Sequence, residues 1–134
     1  RLNSINFSGI FMTIFFYFPN VEFLLNITKQ KEITSVTSKW HRFEFTFELA
    51  WKTMKDFLEY NGISENIGSP REILRRAFES HLIEDGEEWI DMMLARNSLS
   101  HLYDEETSRK IYKEIKEKYI KLLEKLNNKF ETLI

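Results

Sequence analysis

Arg96, Asn97, His101 and Tyr103 stand close together in the chain and are the residue types most able to do chemistry here. An arginine can hold a phosphate and stabilise developing charge, and a histidine can move a proton near neutral pH. Together they are the minimum for cleaving RNA through its own 2′-hydroxyl without a metal. A plainer explanation exists for each residue. Arg96 can neutralise helix carbonyls or an acid, His101 can be a satisfied helix-end residue, and Tyr103 can be core with a bonded hydroxyl. On spacing alone the plainer explanation comes first.

The geometry adds a constraint. On an ideal helix Arg96 and His101 lie about 140° apart, because five residues at 3.6 per turn do not return to one face. They converge only if the last turn frays and swings His101 back, or if two copies line one cleft from both sides. No metal is expected to assist. The three histidines, His41, His81 and His101, share no ligand spacing, and there is no Cys to offer a thiolate or a disulfide.

The element that must carry the cluster opens at Asp85, with Glu88 three residues on, and runs through Trp89, Ile90, Met92, Met93, Leu94 and Ala95. It is apolar nearly all round. Two stripes, one continued by Asn97 and His101 and the other by Arg96 and Ser100, are expected to point inward, so the polar groups at the end need partners or a polar cleft. Asp104 with Glu105 and Glu106 then signals a new helix start, whose acids suit the positive helix N-terminus.

Three further segments supply the frame. Trp40, Phe43, Phe47, Ala50, Trp51, Met54, Phe57 and Leu58 recur on one helix face, with Gly62 as the stop. Ser69, Pro70 and Glu72 read as cap, first-turn proline and capping-box acid of a short helix. Ile111, Tyr112, Ile115, Tyr119, Leu122, Leu126 and Phe130 form an apolar stripe on a long terminal helix that wants a bundle partner. Residues 1–38 are harder to read, because Phe11, Ile14, Phe15 and Phe18 suit a core-facing helix while Ile27, Thr28, Ile33, Thr34, Val36 and Thr37 lower helix propensity. We assign them as an atypical N-terminal segment supplying the first helix of one domain over 1–134.

Composition narrows the function classes. The 134 residues contain only 4 Gly and 2 Pro, which leaves few hairpin turns and favours helices, and 12 Phe, 5 Tyr and 3 Trp promise an aromatic core. A net charge of -2 provides no broad basic footprint for long nucleic acid, so any such contact must be local. Arg71, Arg75 and Arg76 read as an ion-pair face with Glu72, and Trp40, Trp51 and Trp89 as core rather than stacking platforms. The apolar run Ile10 to Phe18, stopped by Pro19, is too short to span a bilayer, and the residues after it do not form a signal-peptide cleavage site. A cytoplasmic location is the default, and no phosphate-binding glycine loop or nucleophile elbow is present.

The run Phe43-Glu44-Phe45-Thr46-Phe47-Glu48-Leu49-Ala50-Trp51-Lys52, then Ser69-Pro70-Arg71-Glu72, Trp89, and finally Arg96-Asn97 with His101 and Tyr103, resembles the HEPN family. The resemblance is to its branch of nucleotidyltransferase substrate-binding proteins, related to HepT toxins, and it extends from about Trp40 to the C-terminus. It implies an antiparallel up-and-down bundle of four to five helices, a homodimer, and a separate minimal nucleotidyltransferase as partner. It further implies a metal-independent endoribonuclease with no cofactor, in which Arg96 and His101 line a cleft at the dimer interface and Asn97 supports them. The tyrosine matching Tyr103 is the acceptor of AMP from the partner, which silences the toxin half of a toxin-antitoxin pair. The rival expectation is a non-catalytic subunit that holds a nucleotide or phosphate in the same cleft, and a plain dimerisation module is the third.

Overall fold

The computed structural model describes residues 17–24, 26, 36–63, 68–99 and 105–133, and every regular element among them is helical. Residues 17–24 are helical and form α1. They are followed by α2 (Val36–Tyr60), α3 (Pro70–Glu79), α4 (Gly86–Ser98), α5 (Glu105–Glu114), a π-helical turn (Ile115–Tyr119) and α6 (Ile120–Leu133). The last three join into one long terminal helix, as its apolar stripe predicts.

Pairwise contacts set the directions. Phe43 stacks on Tyr119 and Phe57 meets Phe130 edge-on, both with centroids 6.0 Å apart, so α2 and the terminal helix run the same way. Lys118 pairs with Asp91 at 3.8 Å and Lys125 with Asp85 at 3.1 Å, so α4 runs against the terminal helix. The Tyr17 hydroxyl donates to the Leu123 carbonyl at 2.6 Å, while Arg42 donates to Asn20 at 2.6 Å, which makes α1 antiparallel to both. The result is an all-α up-and-down bundle of α1, α2, α4 and the terminal helix. The short α3 packs on α2 and α4.

The core is built around α2, where Phe43, Phe47, Ala50, Met54 and Leu58 are fully buried at helical spacing. Two threonines share that interior because their hydroxyls bond one turn back, Thr46 to the Arg42 carbonyl and Thr53 to the Leu49 carbonyl, each at 2.7 Å. The helix also begins earlier than its aromatic pattern, at Val36. β-branched residues lower propensity by only tenths of a kcal/mol, and continuing an established helix outweighs that. Pro19 likewise lies within the helical residues of α1 rather than ending a segment.

Helix ends show which local signals hold. Ser69 caps α3 by accepting the Glu72 amide at 3.2 Å, but the Glu72 carboxylate is engaged by Arg75 at 2.7 Å and Arg76 at 3.6 Å. Gly62 ends α2 with φ 82°, and the Ile63 amide reaches back to the Leu58 carbonyl at 2.8 Å. His81 does the same work for α3 with φ 63°, a conformation costly for a residue with a Cβ. Asp85 sits at the cap position of α4 but makes no capping bond, because its carboxylate accepts from Lys125. That bond, ahead of the one to Glu84, raises the Lys125 ammonium above its ordinary range.

Within the terminal helix the π turn buries both Ile115 and Tyr119. The Tyr119 phenol donates to Glu114 at 3.1 Å, and burial first, then the Glu114 charge, push its ionisation far above the usual tyrosine value. Burial does the same to Tyr17. A raised folded-state pKa means that the unfolded phenol ionises first, so this stability is present below about pH 10 and is lost as pH climbs toward the folded value. Tyr17→Phe is expected to cost about 1 kcal/mol in a urea titration at pH 7 by removing the bond to Leu123. Above about pH 10 the variant's stability falls less steeply than the wild type's, and parallel curves would contradict this.

Candidate functional site

Arg96 lies in the last turn of α4, facing α2. Three contacts restrain its guanidinium. The Nη2 group pairs with the Glu48 carboxylate, Nη1 donates to Asn97 Oδ1 at 2.8 Å, and Cζ stands 5.5 Å over the Phe47 ring centroid. Its side chain keeps 22% of its surface exposed and that of Glu48 keeps 31%, so the pair is neither buried nor free in solvent. A charge-assisted bond and a cation-π contact at that depth hold the group in one place.

Glu44, Glu48, Arg96 and Asn97 line a cleft of about 470 Å³. Two carboxylates therefore face one guanidinium and one amide. Glu48 also has Lys52 at 3.8 Å one turn along α2, which spreads the local charge. An anion entering the cleft meets Arg96 only by sharing it with Glu48. Among the described residues no group of three or more His, Cys, Asp or Glu side chains could hold a metal ion, and no helix is long and apolar enough to cross a membrane.

Of the residues singled out from sequence, the structure brings Arg96 and Asn97 together. His101 and Tyr103 lie outside the described residues, as does Ser100, in the stretch 100–104 between α4 and α5. The expectation that both polar stripes of α4 point inward needs correction. Leu94 is 49% exposed and Asn97 faces solvent, while Trp89, Met92 and Met93 take the core side. The reason is that α2 and the terminal helix cover only one side of α4, leaving the line of Ile90, Leu94 and Asn97 outermost or half-covered.

Glu44, Glu48 and the Phe47 ring were not singled out as site residues. Their signal was present in the block Phe43-Glu-Phe-Thr-Phe-Glu, where two acids four apart must share a helix face beside buried aromatics. Trp89 is buried and tilts against Phe47 with centroids 6.4 Å apart, whereas Trp40 and Trp51 are half-buried. Arg75 and Arg76 do form ion pairs with Glu72 and Glu79.

Fold and cleft thus define an up-and-down helical bundle that presents a restrained Arg-Asn pair at a helix end. Comparison with known proteins agrees with this class: residues 18–132 match a family model described as "Nucleotidyltransferase substrate binding protein like". A relative from Haemophilus influenzae named "Probable ribonuclease HepT" is 34% identical over 102 residues, covering 72% of this chain and 70% of the relative. The chain belongs to the nucleotidyltransferase substrate-binding-protein-like family, among the HepT-like HEPN proteins. The match begins at residue 18, so it takes in α1 as well as the segment from Trp40 onward.

The Glu48 contact leads to a measurable outcome. Glu48→Gln removes a carboxylate that competes with any anion for Arg96, so binding of inorganic phosphate should tighten about three- to tenfold. Stability should fall by about 1 kcal/mol or less, as for other partly exposed pairs. Calorimetric titration and urea unfolding measure both, and unchanged phosphate binding would show that Glu48 does not control access to Arg96.

Proposed function

We propose that this protein is a metal-independent endoribonuclease, the toxin half of a toxin-antitoxin pair whose other half is a minimal nucleotidyltransferase. One observation carries the reading: a guanidinium fixed by Glu48, Asn97 and Phe47 at the mouth of a polar cleft, in a chain of the HepT-like family. In this mechanism His101 takes the proton from a ribose 2′-hydroxyl, whose oxygen attacks the neighbouring phosphorus. Arg96 bonds the non-bridging oxygens as negative charge builds on them. The bond to the 5′-oxygen breaks, that oxygen gains a proton, and the products carry a 2′,3′-cyclic phosphate and a 5′-hydroxyl.

Asn97 supports Arg96 through its 2.8 Å bond. Two copies of the chain would line one cleft, the protein would act in the cytoplasm, and Tyr103 would accept AMP from the nucleotidyltransferase. The relative's printed name and the family description favour the two parts of this reading, RNA cleavage and a nucleotidyltransferase partner.

A second reading has an observation of its own. Two carboxylates beside one guanidinium, with a net charge of -2, provide little long-range attraction for RNA, which suits a subunit that holds a nucleotide or phosphate for the nucleotidyltransferase without cleaving it. Growth and enzyme assays separate the two. Wild type expressed alone in a bacterial host should arrest growth, and the purified protein should cleave RNA in EDTA. Arg96→Ala and His101→Ala should each lower the rate by about 10²- to 10⁴-fold. The nucleotidyltransferase should restore growth with a mass increase that is absent in Tyr103→Phe. Specific nucleotide binding without cleavage would instead establish the subunit reading.

A further inference from the structure

The cleft that holds Arg96 also holds a carboxylate with no task in the proposed chemistry. Glu48 is committed to the Arg96 guanidinium and has Lys52 at 3.8 Å. Glu44, one turn earlier on the same face of α2, is half-buried in the cleft wall and makes no hydrogen bond or ion pair with any described residue. The positions three and four residues from it are Trp40, His41, Phe47 and Glu48, so its own helix offers no Lys or Arg as counter-charge. A carboxylate in that state keeps its lone pairs for whatever enters the cleft.

Its charge decides which part of a substrate it can touch. A phosphate is repelled by Glu44 and attracted by Arg96, so the two residues suit different parts of one nucleotide. An ionised carboxylate only accepts hydrogen bonds, through two oxygens side by side. Among the four RNA bases, guanine alone presents two neighbouring donors, N1–H and the N2 amino group, on its Watson–Crick edge. Adenine and cytosine set one amino group beside a bare ring nitrogen, and uracil sets one N–H between two carbonyl oxygens, so each aims a lone pair at a carboxylate oxygen. Unpaired bases are the ones whose edges a protein reads in this way. Asn97 complements the same guanine edge. Its Oδ1 must face Arg96, because a guanidinium only donates, and this leaves the amide nitrogen as a donor for guanine O6. The cleft, at about 470 Å³, is within the size range of small-molecule sites.

We propose that Glu44 selects guanine at the nucleotide adjoining the scissile phosphate, its two carboxylate oxygens accepting from N1–H and the N2 amino group while Arg96 holds the phosphate. Glu44 is then a specificity-determining residue and takes no proton in the reaction. The inference rests on the ribonuclease reading above and adds which base the cleft takes. It also accounts for an unpaired acid beside the arginine: the carboxylate weakens phosphate binding for every RNA and is offset by new bonds for one base only.

Cleavage of a uridine oligomer carrying one guanosine, beside the same oligomer with inosine or adenosine in its place, tests this in EDTA. Inosine keeps N1–H and O6 and lacks only the N2 amino group. Wild type should cut next to guanosine about ten- to hundredfold faster, by kcat/KM, than next to inosine or adenosine. Glu44→Ala should bring the guanosine-to-inosine ratio close to one, a readout that a purely structural role for Glu44 does not move. The inosine comparison in wild type needs no variant and stands even if Glu44→Ala fails to fold. Cleavage indifferent to the base would overturn the role of Glu44 and leave the ribonuclease reading standing. If wild type cuts none of the oligomers, calorimetric titration with guanosine, inosine and adenosine 5′-monophosphates reads the same selection. Tighter binding of the guanosine nucleotide, lost in Glu44→Ala, would then support the role of Glu44 while the ribonuclease reading falls, and equal or absent binding would overturn both.

Discussion

Phe47 is shared by the core and the site. Its ring is fully buried, with Trp89 tilted against it and the Arg96 guanidinium above it. Loss of the ring would remove core volume and the surface on which the cation rests, so packing of α2 against α4 and the position of Arg96 are not separable. Glu48, the next residue, faces the cleft and supplies the counter-charge. Successive residues on a helix differ by about 100° in direction, which is how one turn of α2 serves interior and cleft together.

This coupling bears on how such a site works. A guanidinium free in solvent must give up rotamer freedom when it binds a phosphate, whereas one already held by a ring, an amide and a carboxylate has done so in folding. The carboxylate has an opposite effect, because it competes with an incoming anion. The protein therefore trades affinity for position. In a reaction where charge develops on phosphate oxygens, position matters more in the transition state than in the ground state, and this favours a catalytic role for Arg96 over simple capture.

Much of the bundle was legible in the sequence because aromatic and aliphatic residues repeat at helical spacing in α2 and the terminal helix, and because Gly62, Ser69 and Pro70 mark ends by local rules. The errors came where tertiary partners decided. Asp85 has the form of a cap, but Lys125 from a helix distant in sequence takes its carboxylate. Leu94 belongs to an apolar helix, yet it is 49% exposed, on the side of α4 turned away from the core. His81 ends α3 in a left-handed conformation that its residue type does not advertise. For the site, Arg96 and Asn97 were legible from their chemistry, whereas Glu48 was legible only as one of two acids sharing a face of α2; that this face meets Arg96 depends on the register between α2 and α4, which no local pattern encodes. His101 and Tyr103, outside the described residues, rest on the sequence alone.

The most direct test of the account is the product chemistry of a short RNA incubated with the purified protein in EDTA, beside the same oligomer carrying a single 2′-deoxy residue at the cut position. Attack by the 2′-hydroxyl predicts cleavage of the RNA with a 2′,3′-cyclic phosphate end and no cleavage at the deoxy position. Equal cutting of both oligomers, or no cutting of either by wild type that is folded and dimeric, would contradict it.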